Sequence, residues 1–126
     1  MENKEAIRLN HNKPELSIVD LDSLMDTADV FVFGAQKYER DNWKLGQHDT
    51  KILDSMLRHI AAIMRGEFVD PESGLPHHGH IGCNAIFLAN TYRNHPDKIE
   101  MVDRDEVEDY YVARKHIPNK HNSQEQ

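Results

Sequence analysis

The stretch between positions 67 and 80 is rich in groups that bind metal ions or move protons, and five of them form the cluster Glu67, Asp70, Glu72, His77 and His80. Glu67 and Asp70 have the spacing that places two carboxylates on one helical face, and Glu72 follows them. His77 and His80 are also three residues apart, and inward-pointing helical ligands with this spacing converge on one ion in helix bundles. We therefore predict that the two carboxylates Glu67 and Asp70 and the two histidines hold a divalent metal ion.

The ligand types set the expected metal. Carboxylates alone favour Mg²⁺ or Mn²⁺, whereas added imidazoles shift the preference towards Mn²⁺, Fe²⁺, Ni²⁺ or Zn²⁺. The plainer alternative is that His77 and His78 only cap or solvate the start of a helix. Asn84 lies on the same helical face as His77 and His80, so we include it among the residues expected to contact a ligand.

A second group of residues, between positions 37 and 44, has the chemistry of nucleotide binding. Tyr38 and Trp43 offer faces on which a base can stack, and Asn42 can pair with a base edge. Lys37 and Lys44 can contact phosphates. In the alternative interpretation Trp43 anchors a loop on the core and the charged side chains are simply solvated.

A third pair, Arg58 and His59, lies midway along a predicted helix. Arg58 can bind a phosphate bidentately, or it can form a surface ion pair with Asp54 four residues earlier. His59 flanks an apolar stripe, so it is either a site residue or a hydrogen-bonded core histidine.

Four helices are predicted to position these groups. The first spans about Leu21 to Arg40 after a cap at Asp20 or Asp22, and the second begins at Asp49 or Thr50 and stops near Gly66. The third begins at Pro76 and ends before Asn94, and a weaker fourth spans Arg104 to Lys115. Apolar stripes with helical spacing on the first two helices are typical of faces turned to a core, and they are formed by Leu21, Leu24, Met25, Ala28, Phe31, Val32 and Ala35 and by Leu53, Met56, Leu57, Ile60, Ile63 and Met64.

The fold class is all-α, a compact bundle of three to four helices, with a flexible arm at 1–14, one domain at 15–117 and a disordered tail at 118–126.

The composition of the chain limits the kinds of molecule that it is expected to bind. A net charge of −7 argues against a nucleic-acid polymer but not against a mononucleotide held through a divalent cation. No apolar run is long enough to cross a membrane, and the single cysteine, Cys83, fits a reducing, cytoplasmic compartment. Short helices with 38% hydrophobic residues bury little area alone, so a homodimer or homotetramer is expected.

The motifs F-G-A-x-K-Y, N-W, R-H, G-E-x-x-D-P-E-S-G-L-P-H and H-x-x-x-N occur in this order between about Lys13 and Asn90. This stretch resembles the phage-encoded family of dATP/dGTP diphosphohydrolase N-terminal domains. The resemblance implies membership of the MazG-like all-α nucleoside triphosphate pyrophosphohydrolases, which bind Mg²⁺ through carboxylates from two helices and release pyrophosphate. Those enzymes pair an E-x-x-E helix with an E-x-x-D helix, whereas in this chain the predicted third helix offers the histidines His77 and His80 instead of a second pair of carboxylates.

The resulting hypothesis is that the protein is a divalent-metal-dependent pyrophosphohydrolase that acts on purine deoxynucleoside triphosphates. We expect it in the cytoplasm, which would be the cytoplasm of a bacterial host if the chain is phage-encoded. Glu72 or His59 would activate the attacking water. Lys37, Arg58 and Lys44 would contact the phosphates, while Tyr38, Asn42 and Trp43 would hold the base. Two alternatives are a protein that sequesters a nucleotide or nucleotide signal without turnover, as a phage protein acting against host defence would, and a purely structural metal site.

Overall fold

The helix that follows Pro76 is the central element of the fold. The computed structural model describes residues 4–8 and 13–125, with side chains described as far as Arg114. Its α-helices are α1 (Leu21–Lys37), α2 (Asp49–Met64), α3 (His77–Asn94) and α4 (Arg104–Glu125), with short 3₁₀ turns at Leu16–Ile18, Asn42–Leu45 and Pro96–Lys98. Helix α3 packs against both α1 and α2, which make little contact with each other. The predicted all-α bundle is confirmed.

Local chemistry explains where the helices begin and end. The Asp20 carboxylate accepts a hydrogen bond from the backbone N–H of Ser23 at 3.1 Å, so Asp20 is the predicted cap of α1. Helix α2 stops just before Gly66, whose φ of +93° belongs to the left-handed region, as the sequence predicts. Helix α4 continues to Glu125, past the predicted end near Lys115 and through Pro118, which lacks a backbone donor.

The terminal predictions are only partly covered by the structure. Of the predicted arm at 1–14, residues 4–8 and 13–14 have no helix or strand, and the others lie outside the described residues. The segment 118–125, for which the sequence predicts disorder, belongs to α4, and residue 126 lies outside the described part. No described helix is long and apolar enough to cross a membrane.

Two glycines let α3 approach α1 closely. A Cβ at Gly79 would lie 2.7 Å from the backbone oxygen of Asp26, and one at Gly82 would collide with the Thr27 hydroxyl. A larger residue at either position would therefore push the two helices apart. The missing side chains offset the lower helix propensity of glycine.

Asp49 was predicted as a helix cap, but its side chain has a different role. It is fully buried and accepts hydrogen bonds from the backbone N–H groups of Glu100 and Met101, both at 3.0 Å. The Tyr92 hydroxyl donates a third at 3.2 Å. Asp49 therefore holds the segment between α3 and α4 against the start of α2, and no side chain caps α2.

Much of the apolar stripe on each of α1 and α2 faces outward, contrary to the prediction, whereas Phe31, Leu53 and Met56 are only partly exposed. On α2, Leu57 is 61% exposed and Met64 is 82% exposed, and Ile60 and Ile63 are also exposed. The residues that face α3 are instead Ile52, Ser55, His59 and Ala62, three or four positions apart on another side of the helix. Along α1 the pattern is similar, since Leu21, Met25 and Val32 are exposed while Val30 is buried.

Replacing Asp49 should destabilise the fold. Asp49→Ala leaves two backbone N–H groups and the Tyr92 hydroxyl without their acceptor, so we expect the free energy of unfolding to fall by about 3 kcal/mol. Urea unfolding followed by circular dichroism measures this change. The matched control is Asp54→Ala on the exposed side of the same helix, with an expected change within about 0.5 kcal/mol. Equal stabilities of the two variants would contradict the assigned role of Asp49.

The exposed stripe of α2 should mediate self-association. Leu53, Met56, Ile60 and Ile63 have alternating spacings of three and four residues, the pattern with which helices pack in pairs. A second copy can cover the stripe with its own stripe through a two-fold axis. We expect a dimer or tetramer by light scattering at micromolar concentration, and Leu57→Glu should convert it to a monomer. Lys51→Glu, outside the stripe, should leave the mass unchanged, and a monomeric wild type would disprove the prediction.

Candidate functional site

A groove on α3 lies between the separated helices α1 and α2. Its volume is about 740 Å³, and its walls come from the second half of α1, the 3₁₀ turn after it, the inner face of α2 and the loop 65–76. Cys83 lines the groove, and burial raises the pKa of its thiol to about 12, so at neutral pH it is not a nucleophile.

The structure brings nearly all of the predicted site residues to this groove. Those that line it are Lys37, Tyr38, Asn42, Trp43, Arg58, His59, Glu67, Asp70, Glu72, His77, His80 and Asn84. Lys44 is the exception, because its ammonium group pairs with Asp41 at 3.3 Å and lies over the Trp43 ring. A phosphate role for Lys44 therefore has no support from its position.

The loop 65–76 positions the two carboxylates that the sequence placed on a helical face. Helix α2 ends at Met64, so Glu67 and Asp70 are not helical and that part of the prediction is wrong. A β-bridge joins Val69 to Pro76 and closes the loop, and the Asp70 N–H donates to the Leu75 carbonyl at 2.9 Å. The loop thus directs Asp70 towards α3.

Three groups in the groove are close enough to share one ion. Ligand atoms of His59, Asp70 and His80 lie within 4.8 Å of one another. The His59 and His80 rings stack with centroids 4.5 Å apart. Burial, the largest effect, lowers the pKa of both rings, and the neighbouring ring of His80 lowers the pKa of His59 further. Both imidazoles are therefore neutral at pH 7, as metal ligands must be.

Glu67 and His77 form a second group that supports His59. The His77 ring is 4% exposed, and its Nε2–H donates to the Glu67 carboxylate at 2.8 Å. Its Nδ1 lies 2.8 Å from Nδ1 of His59. One of these two Nδ1 atoms donates and the other accepts, so the contact holds the His59 ring in place. The chain Glu67–His77–His59 therefore fixes the orientation of the His59 ring.

Two imidazoles and one carboxylate fit a divalent transition metal. This donor set suits Mn²⁺, Fe²⁺, Ni²⁺ or Zn²⁺ better than Mg²⁺, which prefers oxygen ligands. The carboxylate–histidine chain behind His59 matches the way metal-binding histidines are usually oriented. The predicted ligands Asp70 and His80 belong to the group. His59, predicted for water activation, replaces Glu67 and His77 in it.

A part-buried polar pair lies one helical turn further along the groove. Asn84, on α3, donates from Nδ2 to the Ser55 hydroxyl at 3.2 Å and to the His80 carbonyl at 3.1 Å. Ser55 is four residues before His59 on α2, on the same helical face. Ser55 is not among the predicted site residues, although its spacing from His59 was visible in the sequence.

Aromatic side chains form the next layer. Trp43 packs against Phe87 with centroids 5.8 Å apart and against the edge of Phe31 at 5.3 Å, and all three line the groove. Trp43 therefore anchors the 3₁₀ turn on the core, as in the alternative interpretation, and it also contributes to the groove wall, while base stacking on its ring stays a prediction. Tyr38, which is exposed, lies at the rim beside Lys37.

The cations of the groove differ in their availability. Lys37 forms an ion pair with Glu72 at 3.1 Å, which raises the pKa of the lysine. Arg58 and Arg40 line the groove without a hydrogen bond or ion pair to any other described residue, so the predicted alternative pairing of Arg58 with Asp54 does not form. These two guanidinium groups are the ones free to bind an anionic ligand.

Comparison with known proteins places this chain in a family. A family model described as dATP/dGTP diphosphohydrolase, N-terminal, matches residues 3–101. A protein of Salmonella phage PMBT28 named dATP/dGTP diphosphohydrolase is 31% identical over 91 residues, which cover 72% of this chain but only 31% of that protein. No solved structure matches significantly. The chain belongs to the family of dATP/dGTP diphosphohydrolase N-terminal domains.

Proposed function

We propose that the groove binds a purine deoxynucleoside triphosphate and hydrolyses it to the monophosphate and pyrophosphate with a divalent metal ion. The observation that carries this proposal is the order of groups along α3. His80 belongs to the candidate metal cluster, Asn84 to the polar pair one turn later, and Phe87 to the aromatic layer after that. This order of charged, polar and aromatic contacts corresponds to the phosphates, sugar and base of a nucleotide.

The roles of the residues follow from their positions. His59, Asp70 and His80 would hold the metal, and Arg58 and Arg40 would bind the outer phosphates bidentately. When bound, a divalent ion neutralises phosphate charge and lowers the pKa of a water molecule.

Glu72 remains the candidate general base, because His59 belongs to the candidate metal cluster. In the structure the Glu72 carboxylate is paired with Lys37. If Lys37 turned to a bound phosphate, Glu72 would be released to accept the proton of the attacking water.

The choice of substrate and bond rests on the family. The phage relative is named for dATP and dGTP and for diphosphohydrolysis, so purine deoxynucleotides are the first candidates for this chain. The acidic net charge of −7 fits a mononucleotide that brings its own cation rather than a nucleic-acid polymer.

Metal binding tests the centre of the proposal. We expect Mn²⁺ to remain bound to the wild type after dialysis, and His80→Ala to weaken binding by at least about a hundredfold, since a direct ligand is lost. Glu67→Gln, which removes only the charge behind His77, should weaken metal binding by less than the loss of about ten- to a hundredfold that is typical for a direct partner of a ligand, because Glu67 reaches His59 only through His77. His78→Ala is the matched control, because His78 is exposed and pairs with Asp26 away from the groove. Elemental analysis and calorimetry measure these changes.

Product analysis separates catalysis from sequestration. Wild-type protein incubated with dATP or dGTP and Mn²⁺ should release pyrophosphate, and His80→Ala should not. If the nucleotide binds but is not cleaved, the sequestering alternative is correct. Equal metal retention by His80→Ala and His78→Ala would show that the proposed metal centre is wrong.

Trp43 should contribute to stability as well as to the nucleotide site. Trp43→Ala removes the ring that packs against both Phe31 and Phe87, so we expect a loss of about 3 kcal/mol in the free energy of unfolding. Trp43→Phe keeps an aromatic face and should retain most of the stability and the nucleotide affinity. Urea unfolding and nucleotide titration on the same samples measure both. A fully stable Trp43→Ala that has lost only nucleotide affinity would contradict the packing role.

A further inference from the structure

We propose that Ser55 and Asn84 form the sugar subsite of the groove and bind the 3′-hydroxyl of a deoxynucleotide. This inference rests on the proposed nucleotide function and names the part of the ligand that one pair of side chains recognises. The function proposed above places this polar pair beside the sugar, but it does not say which hydroxyl group Ser55 and Asn84 bind.

The hydrogen bonds around Asn84 leave one acceptor available. Both of its hydrogen bonds use Nδ2, one to the Ser55 hydroxyl and one to the His80 carbonyl, which fixes the orientation of the amide. Its Oδ1 accepts no hydrogen bond from a described residue, although the residue is only 8% exposed. Because Oδ1 is unpaired but not fully buried, it is partly exposed in the groove that Asn84 lines.

Ser55 supplies the matching donor. Its oxygen accepts the hydrogen bond from Asn84, and the hydroxyl hydrogen has no acceptor among the described residues. The groove wall therefore presents one fixed acceptor beside one free donor. A hydroxyl group both donates and accepts, so a single sugar hydroxyl can satisfy Asn84 Oδ1 and Ser55 Oγ–H together.

Position along the groove favours the sugar over the base. Ser55 and Asn84 are each four residues from a histidine of the candidate metal cluster, which is about one helical turn, or 5.4 Å along the axis. A phosphate bound at the cluster is followed directly by the sugar, and the aromatic layer of Trp43 and Phe87 lies beyond it. The base edge would therefore lie past the polar pair.

Burial makes this pair selective. A ligand that fills the groove without a hydroxyl at this point removes water from Asn84 Oδ1 and the Ser55 hydroxyl and leaves both unpaired. Sites built to hydrogen-bond a substrate hydroxyl reject the analogue that lacks it much more strongly than they reject a change in apolar shape. We therefore expect the wild type to prefer dATP over 2′,3′-dideoxy-ATP by at least about tenfold in kcat/KM.

The test compares substrates within each variant. In Ser55→Ala the preference for dATP over 2′,3′-dideoxy-ATP should fall to within about threefold, because the donor to the 3′-hydroxyl is gone. Ser55→Thr keeps a hydroxyl and should restore most of the preference. Asp54→Ala, the neighbouring exposed position, is the matched control and should behave as the wild type. A ratio of two substrates is insensitive to partial unfolding, which lowers both rates together.

Three results would overturn the sugar subsite. An unchanged ratio in Ser55→Ala would show that the pair only joins α2 to α3. A change in the ratio of dATP to dGTP, with the dideoxy ratio constant, would show that the pair reads the base. A wild type that does not prefer dATP over 2′,3′-dideoxy-ATP would show that the groove does not recognise the 3′-hydroxyl.

The same samples separate this inference from the proposed function. If the wild type cleaves dATP but Ser55→Ala keeps the preference, only the sugar subsite fails. If no nucleotide is cleaved, the dissociation constants of dATP and 2′,3′-dideoxy-ATP replace the rates, with the same expected ratios. If neither nucleotide binds, the proposed function fails and the sugar subsite fails with it.

Discussion

The buried imidazole of His77 is the contact on which the groove depends. One ring nitrogen binds the Glu67 carboxylate of the loop 65–76, and the other contacts His59 of α2. Since His77 is also the first residue of α3, this one ring joins the loop and two helices. A replacement that cannot make both hydrogen bonds leaves polar groups unpaired in a buried position, which is costly, and it also frees the His59 ring to rotate.

Helical periodicity predicted the helices and much of the site, because both depend on local spacing. The face that carries His77, His80 and Asn84 follows from positions three and four residues apart, and the structure places all three in the groove. The same reasoning identified the apolar stripe on α2 but not its direction. Periodicity shows that a helix has an apolar face, and only tertiary contacts decide whether that face meets the core or another molecule.

Residues outside helices were harder to place. Glu67 and Asp70 follow a glycine with positive φ, so a helical wheel does not apply to them, and their carboxylates approach different histidines. Asp49 was also misjudged, because its partners Glu100 and Met101 are about fifty positions away in sequence. Contacts of that kind leave no periodic signal in the sequence.

Helix α2 has two distinct faces, one towards the groove and one on the outer surface. One face carries Ser55 and His59 into the groove, while the opposite side presents Leu57 and Ile60 to solvent. Because α1 and α2 barely touch, α2 is held mainly by α3 and by the Asp49 contacts. Apolar surface covered by a second copy would stabilise α2 in place, by about 25 cal/mol per Å² removed from water. A fixed α2 keeps His59 opposite His80, so self-association and the geometry of the candidate metal cluster would strengthen each other.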